Sequence, residues 1–235
     1  MTTTGHTVTA FDDDLGQLRA LVAEMGGLAE AAIADAMRAL TRRDTALAAR
    51  IVSEDKRIDD IEVEIETQAV RLIALRAPMA DDLRDVVAAM KIAGVVERIG
   101  DYAKNIAKRV PILADAHKVE SLAIIAEMGK GVRSMVKMAL DSFGARDAAL
   151  AVEVNQSDHI IDDFYNSIFR ALLTYMMENP HNITTSTHLL FIAKNLERIG
   201  DHATNIAEMV YFAARGTYME ERQRGASDVP AVPGQ

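Results

Sequence analysis

Apolar residues between positions 81 and 110 recur with the spacing of a packed helix. Ala89, Val96, Ala103 and Val110 return every seven residues, and Ile92, Ile99 and Ile106 do the same. Together the two series form an a/d-type seam of the kind that packs a left-handed bundle. Small residues in one series allow close approach of a neighbouring helix. Helical patterns also cover 12–42, 45–76, 118–144, 147–178 and 183–214, and strand-like alternation is not sustained anywhere. Ala, Leu, Met, Glu, Arg and Lys fill the interiors, and these are good helix formers. The breaks have turn chemistry: Arg42-Arg43-Asp44, Ala77-Pro78, Gly144-Ala145-Arg146-Asp147 and Asn179-Pro180-His181-Asn182. Asp44 and Asp147 are predicted N-caps for the helices that follow them.

The six patterns are three patterns used twice. Glu97-Arg98-Ile99-Gly100-Asp101 returns 100 positions later as Glu197-Arg198-Ile199-Gly200-Asp201. Upstream the offset is 103, pairing Asp55, Ile58, Asp59 and Asp60 with Asp158, Ile161, Asp162 and Asp163. Three residues are therefore missing from the second copy, between its second and third helices. The duplication predicts an all-α protein of two tandem three-helix bundles, at 10–111 and 116–215. Long helices joined by short loops fold back as antiparallel neighbours. A single six-helix domain with one merged core is the alternative. Pro111 to His117 reads as the linker. Residues 216–235, with Gly216, Gly225, Pro230, Pro233 and Gly234, read as a disordered tail.

Composition narrows the class. Half of the 235 residues are apolar, enough for a sizeable core. The chain has no cysteine, which removes disulfides and thiolate metal sites and suits a reducing cytoplasm. The apolar runs fall short of a membrane span, and the N-terminal stretch, with Asp12-Asp13-Asp14, is not a signal segment. A net charge of −9 argues against broad nucleic-acid binding and favours cations.

The candidate chemistry is carboxylate chemistry. Glu97, Asp101 and Asn105 stand at four-residue spacing, as do Glu197, Asp201 and Asn205. Helical periodicity puts each stripe on the face opposite the apolar seam. The middle helices add Asp55 and Asp59 in the first unit and Asp158 and Asp162 in the second. Counted from the hairpin turns, each Asp pair falls at the height of its stripe, because both helices rise equally per residue. Hard oxygen donors from two helices suit Mg, Mn or Fe in an open, shallow site. An ordinary solvated acidic face is the alternative. Gly100 and Gly200 read as points of tight helix packing, and Arg98 and Arg198 as partners of nearby acids. His159, His181 and His188 read as surface residues. There is no Gly-rich phosphate loop, Ser/His/Asp set or zinc-binding His-Glu-x-x-His in the sequence.

The doubled Glu-Arg-Ile-Gly-Asp-x-Ala-x-Asn-Ile-Ala, with Asp-x-x-Ile-Asp-Asp upstream in each unit, resembles the PhoU family of phosphate-signalling regulators. The resemblance covers about 11–215. It implies a cytoplasmic protein without catalytic activity, a homodimer or higher homo-oligomer, peripheral at the inner membrane through its partners. It implies those partners too: the ATPase subunit of the phosphate ABC transporter and the sensor histidine kinase of the phosphate regulon. Such proteins restrain phosphate uptake and the starvation response when phosphate is ample. Some members carry iron or zinc on the motif, and others use magnesium or manganese. Transferred residue by residue, Glu97, Asp101, Glu197 and Asp201 match the motif. Asn105, Asn205, Asp55, Asp59, Asp158 and Asp162 match the flanking ligand positions. A metal-storage or metal-dependent helical bundle and a purely structural interaction protein are the other function classes.

Overall fold

The structure, a computed structural model, describes residues 4–114 and 121–219, with side chains from residue 11 onward. Helix α1 spans Thr4–Arg42, α2 Thr45–Glu54, α3 Lys56–Arg76 and α4 Asp81–Ala107, followed by a single turn, α5, at Val110–Leu113. The second unit has α6 at Ser121–Ala145, α7 at Ala148–Glu178 and α8 at Ile183–Arg215, with a 3-10 turn at Pro180–Asn182 before α8. The described residues contain no strand. The first unit packs α1, α2–α3 and α4 together, and the second packs α6, α7 and α8.

The two units meet along α4 and α8, and again along α1 and α6. The predicted seam of α4 is fully buried: Ala89, Ile92, Val96, Ile99, Ala103 and Ile106 are all closed to solvent. Its counterparts Leu196, Ile199, Ala203 and Ile206 on α8 are equally closed. The apolar core runs without interruption from Leu18 on α1 to Val210 on α8. The three-helix bundles are therefore two by topology and share one interior.

Turn chemistry repeats as faithfully as the helices do. Arg43 and Arg146 both adopt the left-handed conformation, at φ 56° and 53°. After each, an Asp N–H returns to a carbonyl five residues back, Asp44 to Ala39 at 2.9 Å and Asp147 to Ser142 at 2.8 Å. These are Schellman closures of α1 and α6. A left-handed arginine is costly, and here its side chain gains a partner. Arg43 donates to the Ala114 carbonyl at 3.1 Å, and Arg146 to the Ala213 carbonyl at 3.3 Å. The aspartates then cap the next helices as predicted. Asp44 accepts from the Leu47 N–H, and Asp147 from those of Ala149 and Leu150.

Some boundaries differ from the periodic reading. The predicted helix 45–76 is interrupted at Asp55, whereas the corresponding α7 is continuous. At the break the Ile58 N–H bonds to the Asp55 carbonyl at 2.8 Å, three residues away rather than four. Helix α1 begins at Thr4, upstream of position 12. Part of the expected linker is helical as α5, where Pro111 is tolerated in the first turn. The expected disordered tail lies outside the described residues beyond Met219. Within the described part, Tyr218 stacks on Phe212 with ring centroids 4.7 Å apart.

Candidate functional site: paired carboxylate clusters

In each unit the second and third helices meet at a glycine. A Cβ on Gly100 would lie 2.9 Å from Ile58 Cδ1 and 3.7 Å from Asp55 Oδ1. A Cβ on Gly200 would lie 3.3 Å from Ile161 Cγ2 and 3.6 Å from Asp158 Oδ1. Ile58 matches Ile161, and Asp55 matches Asp158, in the repeat. The height match between Asp pair and stripe is thus present in both hairpins. The glycines supply the close approach that brings the first Asp of each pair beside the stripe.

The stripes are less outward than helical periodicity alone suggests. Glu97, Asp101 and Asn105 are partly buried, and so are Glu197, Asp201 and Asn205. The second Asp of each pair, Asp59 and Asp162, is exposed, while Asp158 is buried. Burial raises the pKa of Glu97, and the charges of Asp101, Glu62, Asp59 and Asp55 add to the rise. Glu62, on the same face of α3, is itself raised by burial and by Glu66 and Asp59. In the second unit burial, with Glu197, Asp158 and Asp162 around it, pushes the Asp201 carboxyl up to about 6, while Lys194 opposes the rise. Both clusters therefore hold like charges close together in partial shelter from water, where repulsion is weakly screened.

The cations around the clusters are arranged differently. In the first unit Lys104 Nζ donates to both Asp55 Oδ2 and Asp101 Oδ1. Burial opposes its charge, but these two hydrogen bonds outweigh that and raise its pKa. In the second unit Lys194 Nζ donates to Glu197 Oε1 at 2.6 Å and lies 5.1 Å from the Tyr165 ring centre. The other oxygen, Glu197 Oε2, is buried and has no hydrogen-bond partner among the described residues. A cleft of about 360 Å³ adjoins this cluster, lined in part by Asp158, Asp201, Thr204 and Asn205.

Among the described residues no three His, Asp or Glu side chains are gathered at one point as in a finished metal cage. In the second unit the carboxylates repel one another and Glu197 Oε2 lacks a hydrogen-bond partner among the described residues, while Lys194 pairs with Glu197 and Arg198 lines the same cleft. Residues that periodicity did not single out also belong to this region. Tyr102 and His202 hold matching positions in the two units, and their rings stack across the α4–α8 contact, 5.5 Å apart. Arg198 lies 5.9 Å from the Tyr102 ring centre. Burial lowers the His202 pKa, and the charges of Arg98 and Arg198 lower it further. His159 and His181 are exposed as expected. His188 is not a plain surface residue: its Nδ1 lies 3.1 Å from Arg109 Nη1, which belongs to the other unit.

A doubled three-helix scaffold with a carboxylate stripe at the same height in each half defines a two-repeat all-α protein. A family profile described as PhoU domain matches residues 22–110 and again 125–210. The chain belongs to the PhoU family. It is 58% identical to a "Phosphate-specific transport system accessory protein PhoU homolog" from Zymomonas mobilis, over 94% of this chain and 93% of that protein. It is 50% identical to the protein of the same description from Caulobacter vibrioides, over 96% and 98%. The crystal structure of PhoU from Pseudomonas aeruginosa superposes with a TM-score of 0.85 at 38% identity, covering 88% of this chain and all (100%) of that one.

Proposed function

We propose that this protein is a non-catalytic regulator of phosphate uptake and signalling, acting at the cytoplasmic face of the inner membrane through its partners. The carrying observation is that both repeats match the PhoU domain and that end-to-end relatives are described as accessory proteins of the phosphate-specific transport system. A solved relative from Streptococcus pneumoniae, 30% identical with a TM-score of 0.84, is described as a phosphate transport system regulatory protein. On this reading the chain docks on the ATPase subunit of the phosphate transporter and on the phosphate-regulon histidine kinase, as a homodimer or larger homo-oligomer. It restrains both uptake and the starvation response when phosphate is plentiful. No helix among the described residues is long and apolar enough to cross a membrane, so membrane association would come through those partners.

The carboxylate clusters would serve this role by binding a hard cation such as Mg, Mn, Fe or Zn. The residues that would hold it are Glu97, Asp101 and Asn105 with Asp55 and Asp59, and Glu197, Asp201 and Asn205 with Asp158 and Asp162. A bound cation would cancel the repulsion between carboxylates on the paired helices. The chain's own part is to hold those carboxylates at one level, which the close approach at Gly100 and Gly200 does.

Deletion of the gene is expected to give constitutive expression of phosphate-scavenging genes and excess phosphate accumulation at high phosphate. A strain lacking it, and any second copy, that still represses those genes normally would overturn the reading. Pull-downs at high and low phosphate should recover the transporter ATPase and the kinase.

A further inference from the structure

The repeats meet a second time along α1 and α6, where a glycine of each helix admits a side chain of the other. A Cβ on Gly26 would lie 2.5 Å from Leu140 Cδ1, and one on Gly129 would lie 2.8 Å from Met37 Cγ. Gly26 matches Gly129 and Met37 matches Leu140 at the offset of 103, so this contact has two equivalent ends. Their charges do not match. At the Gly129 end a groove of about 350 Å³ is lined by Arg38 and Arg42 of α1 and Lys130 and Arg133 of α6, together with the buried Met37 and Gly129. Among the described residues no carboxylate lines it. At the Gly26 end the same positions carry Asp141 for Arg38, Glu30 for Arg133, Ala145 for Arg42 and Gly27 for Lys130. There Lys137 pairs with Asp141 at 2.6 Å, and Glu30 lies within the field of both.

Four cations around one groove repel one another unless something answers their charge. The protein answers only part of it. Arg38 pairs with Asp35 at 2.7 Å and Lys130 with Glu127 at 2.6 Å, and neither acid lines the groove. Asp35 is shared with Arg50. Arg42 and Arg133 form no ion pair or hydrogen bond among the described residues. Helix α1 ends beside the groove, and its last carbonyls are already taken: the Thr41 hydroxyl donates to that of Met37 at 2.9 Å, and the Asp44 N–H to that of Ala39 at 2.9 Å. Arg38 and Arg42 stand one turn apart on α1, as Lys130 and Arg133 do on α6, so two cation pairs face the groove from opposite helices. Guanidinium forks and an ammonium suit phosphoryl oxygens. One phosphate group satisfies one pair, and two linked phosphates reach both. We propose that the α1–α6 groove binds a diphosphate anion, inorganic pyrophosphate or the diphosphate of an organic molecule, between the Arg38–Arg42 pair and the Lys130–Arg133 pair. The bound anion ties α1 of one repeat to α6 of the other, at the basic end of their contact only. This site is separate from the carboxylate clusters and needs no metal.

The test is titration calorimetry of the full chain with pyrophosphate in metal-free buffer of low ionic strength, with circular dichroism and thermal melts alongside. Wild type is expected to bind one pyrophosphate per chain, to bind orthophosphate more weakly, and to lose affinity as salt is added, because the cations are exposed. Pyrophosphate should also raise its melting temperature. Arg42→Gln/Arg133→Gln, which removes one charge from each helix, should keep its helicity and bind pyrophosphate about tenfold more weakly. Arg38→Asp/Arg133→Glu, which gives the groove the acids of the opposite end, should abolish binding. Arg71→Gln/Arg170→Gln removes as much charge from α3 and α7 and should leave the affinity unchanged. ADP separates the two sources: affinity equal to that of pyrophosphate or greater assigns the groove to organic diphosphates, and lower affinity assigns it to the inorganic anion. No pyrophosphate bound by wild type, orthophosphate bound equally well, or an equal loss in the Arg42/Arg133 and Arg71/Arg170 variants would overturn the proposal.

Discussion

Asp201 shows how much one side chain can be asked to tolerate. It is half-buried beside Glu197, Asp158 and Asp162, and its pKa rises to about 6. An unfolded Asp releases its proton near 3.9. The folded state therefore binds more protons between those values, and this group's contribution to stability falls as pH rises from about 4 to about 6. Asp201→Asn should remove the penalty in metal-free protein. We expect a gain of about 1–2 kcal/mol at pH 7, a figure reduced for the solvent that still screens a half-exposed carboxylate. Near pH 4 the gain should vanish, because the wild-type carboxyl is then protonated as well. Urea unfolding of both proteins in chelator, at the two pH values, checks this. An equal difference at both would mean that neither burial nor the neighbouring carboxylates raise the Asp201 pKa in the folded protein. Lys104 shows what relieves such crowding in the first unit, where the same arrangement comes with its own counter-charge.

Among the helices, the closest approaches decide which substitutions are tolerated. Gly200 faces Ile161 Cγ2, which would stand 3.3 Å from an added Cβ, and Ile161 Cβ at 3.7 Å leaves the side chain little room to turn away. Gly200→Val should force α7 from α8 and cost about 1–3 kcal/mol, as overpacked cores do. Gly16 on α1 has nothing within 4 Å of an added Cβ. There the helical preference for alanine acts alone, and Gly16→Ala should stabilise by about 0.5–1 kcal/mol. Thermal melts of the two variants should move in opposite directions; a shared direction would mean that packing does not separate these sites. The contrast also marks what a sequence carries at this scale. The seven-residue recurrence of Ile92, Ile99 and Ile106 named the buried face of α4, and the even rise of two antiparallel helices put Asp55 level with Asp101. Lys104 escaped notice because a long side chain can reach several ways, and periodicity assigns it only a face. The mismatch of Lys104 with Thr204, one of two in the repeated motif together with Tyr102 against His202, was the available signal. The interruption at Asp55 left no trace in the apolar pattern, which runs through it unchanged.

For the whole molecule, the duplication predicted two bundles but not how they share their interiors. The seam between α4 and α8 depends on packing between copies, and no periodicity within one helix encodes it. Hence the stacking of Tyr102 on His202 and the pairing of Arg109 with His188 were invisible in the chain. The same applies to Asp85, which is buried and receives Arg19 of its own unit at 2.7 Å and Arg146 of the other at 3.2 Å. These contacts set the expected behaviour of the separated repeats. Residues 10–111 alone would expose the faces of α1 and α4 that now cover α6 and α8, and would leave Asp85 without Arg146. A unit of about 100 residues normally buries enough surface to fold, yet here part of that surface lies on the partner repeat. Expressed alone, 10–111 and 121–219 should each be partly helical without a cooperative melt, and prone to associate. Mixed in equal amounts they should form a complex that melts cooperatively, because the α4–α8 seam is restored. A single repeat that is monomeric and melts as sharply as the full chain would show that the shared core is dispensable and that each bundle is an independent domain.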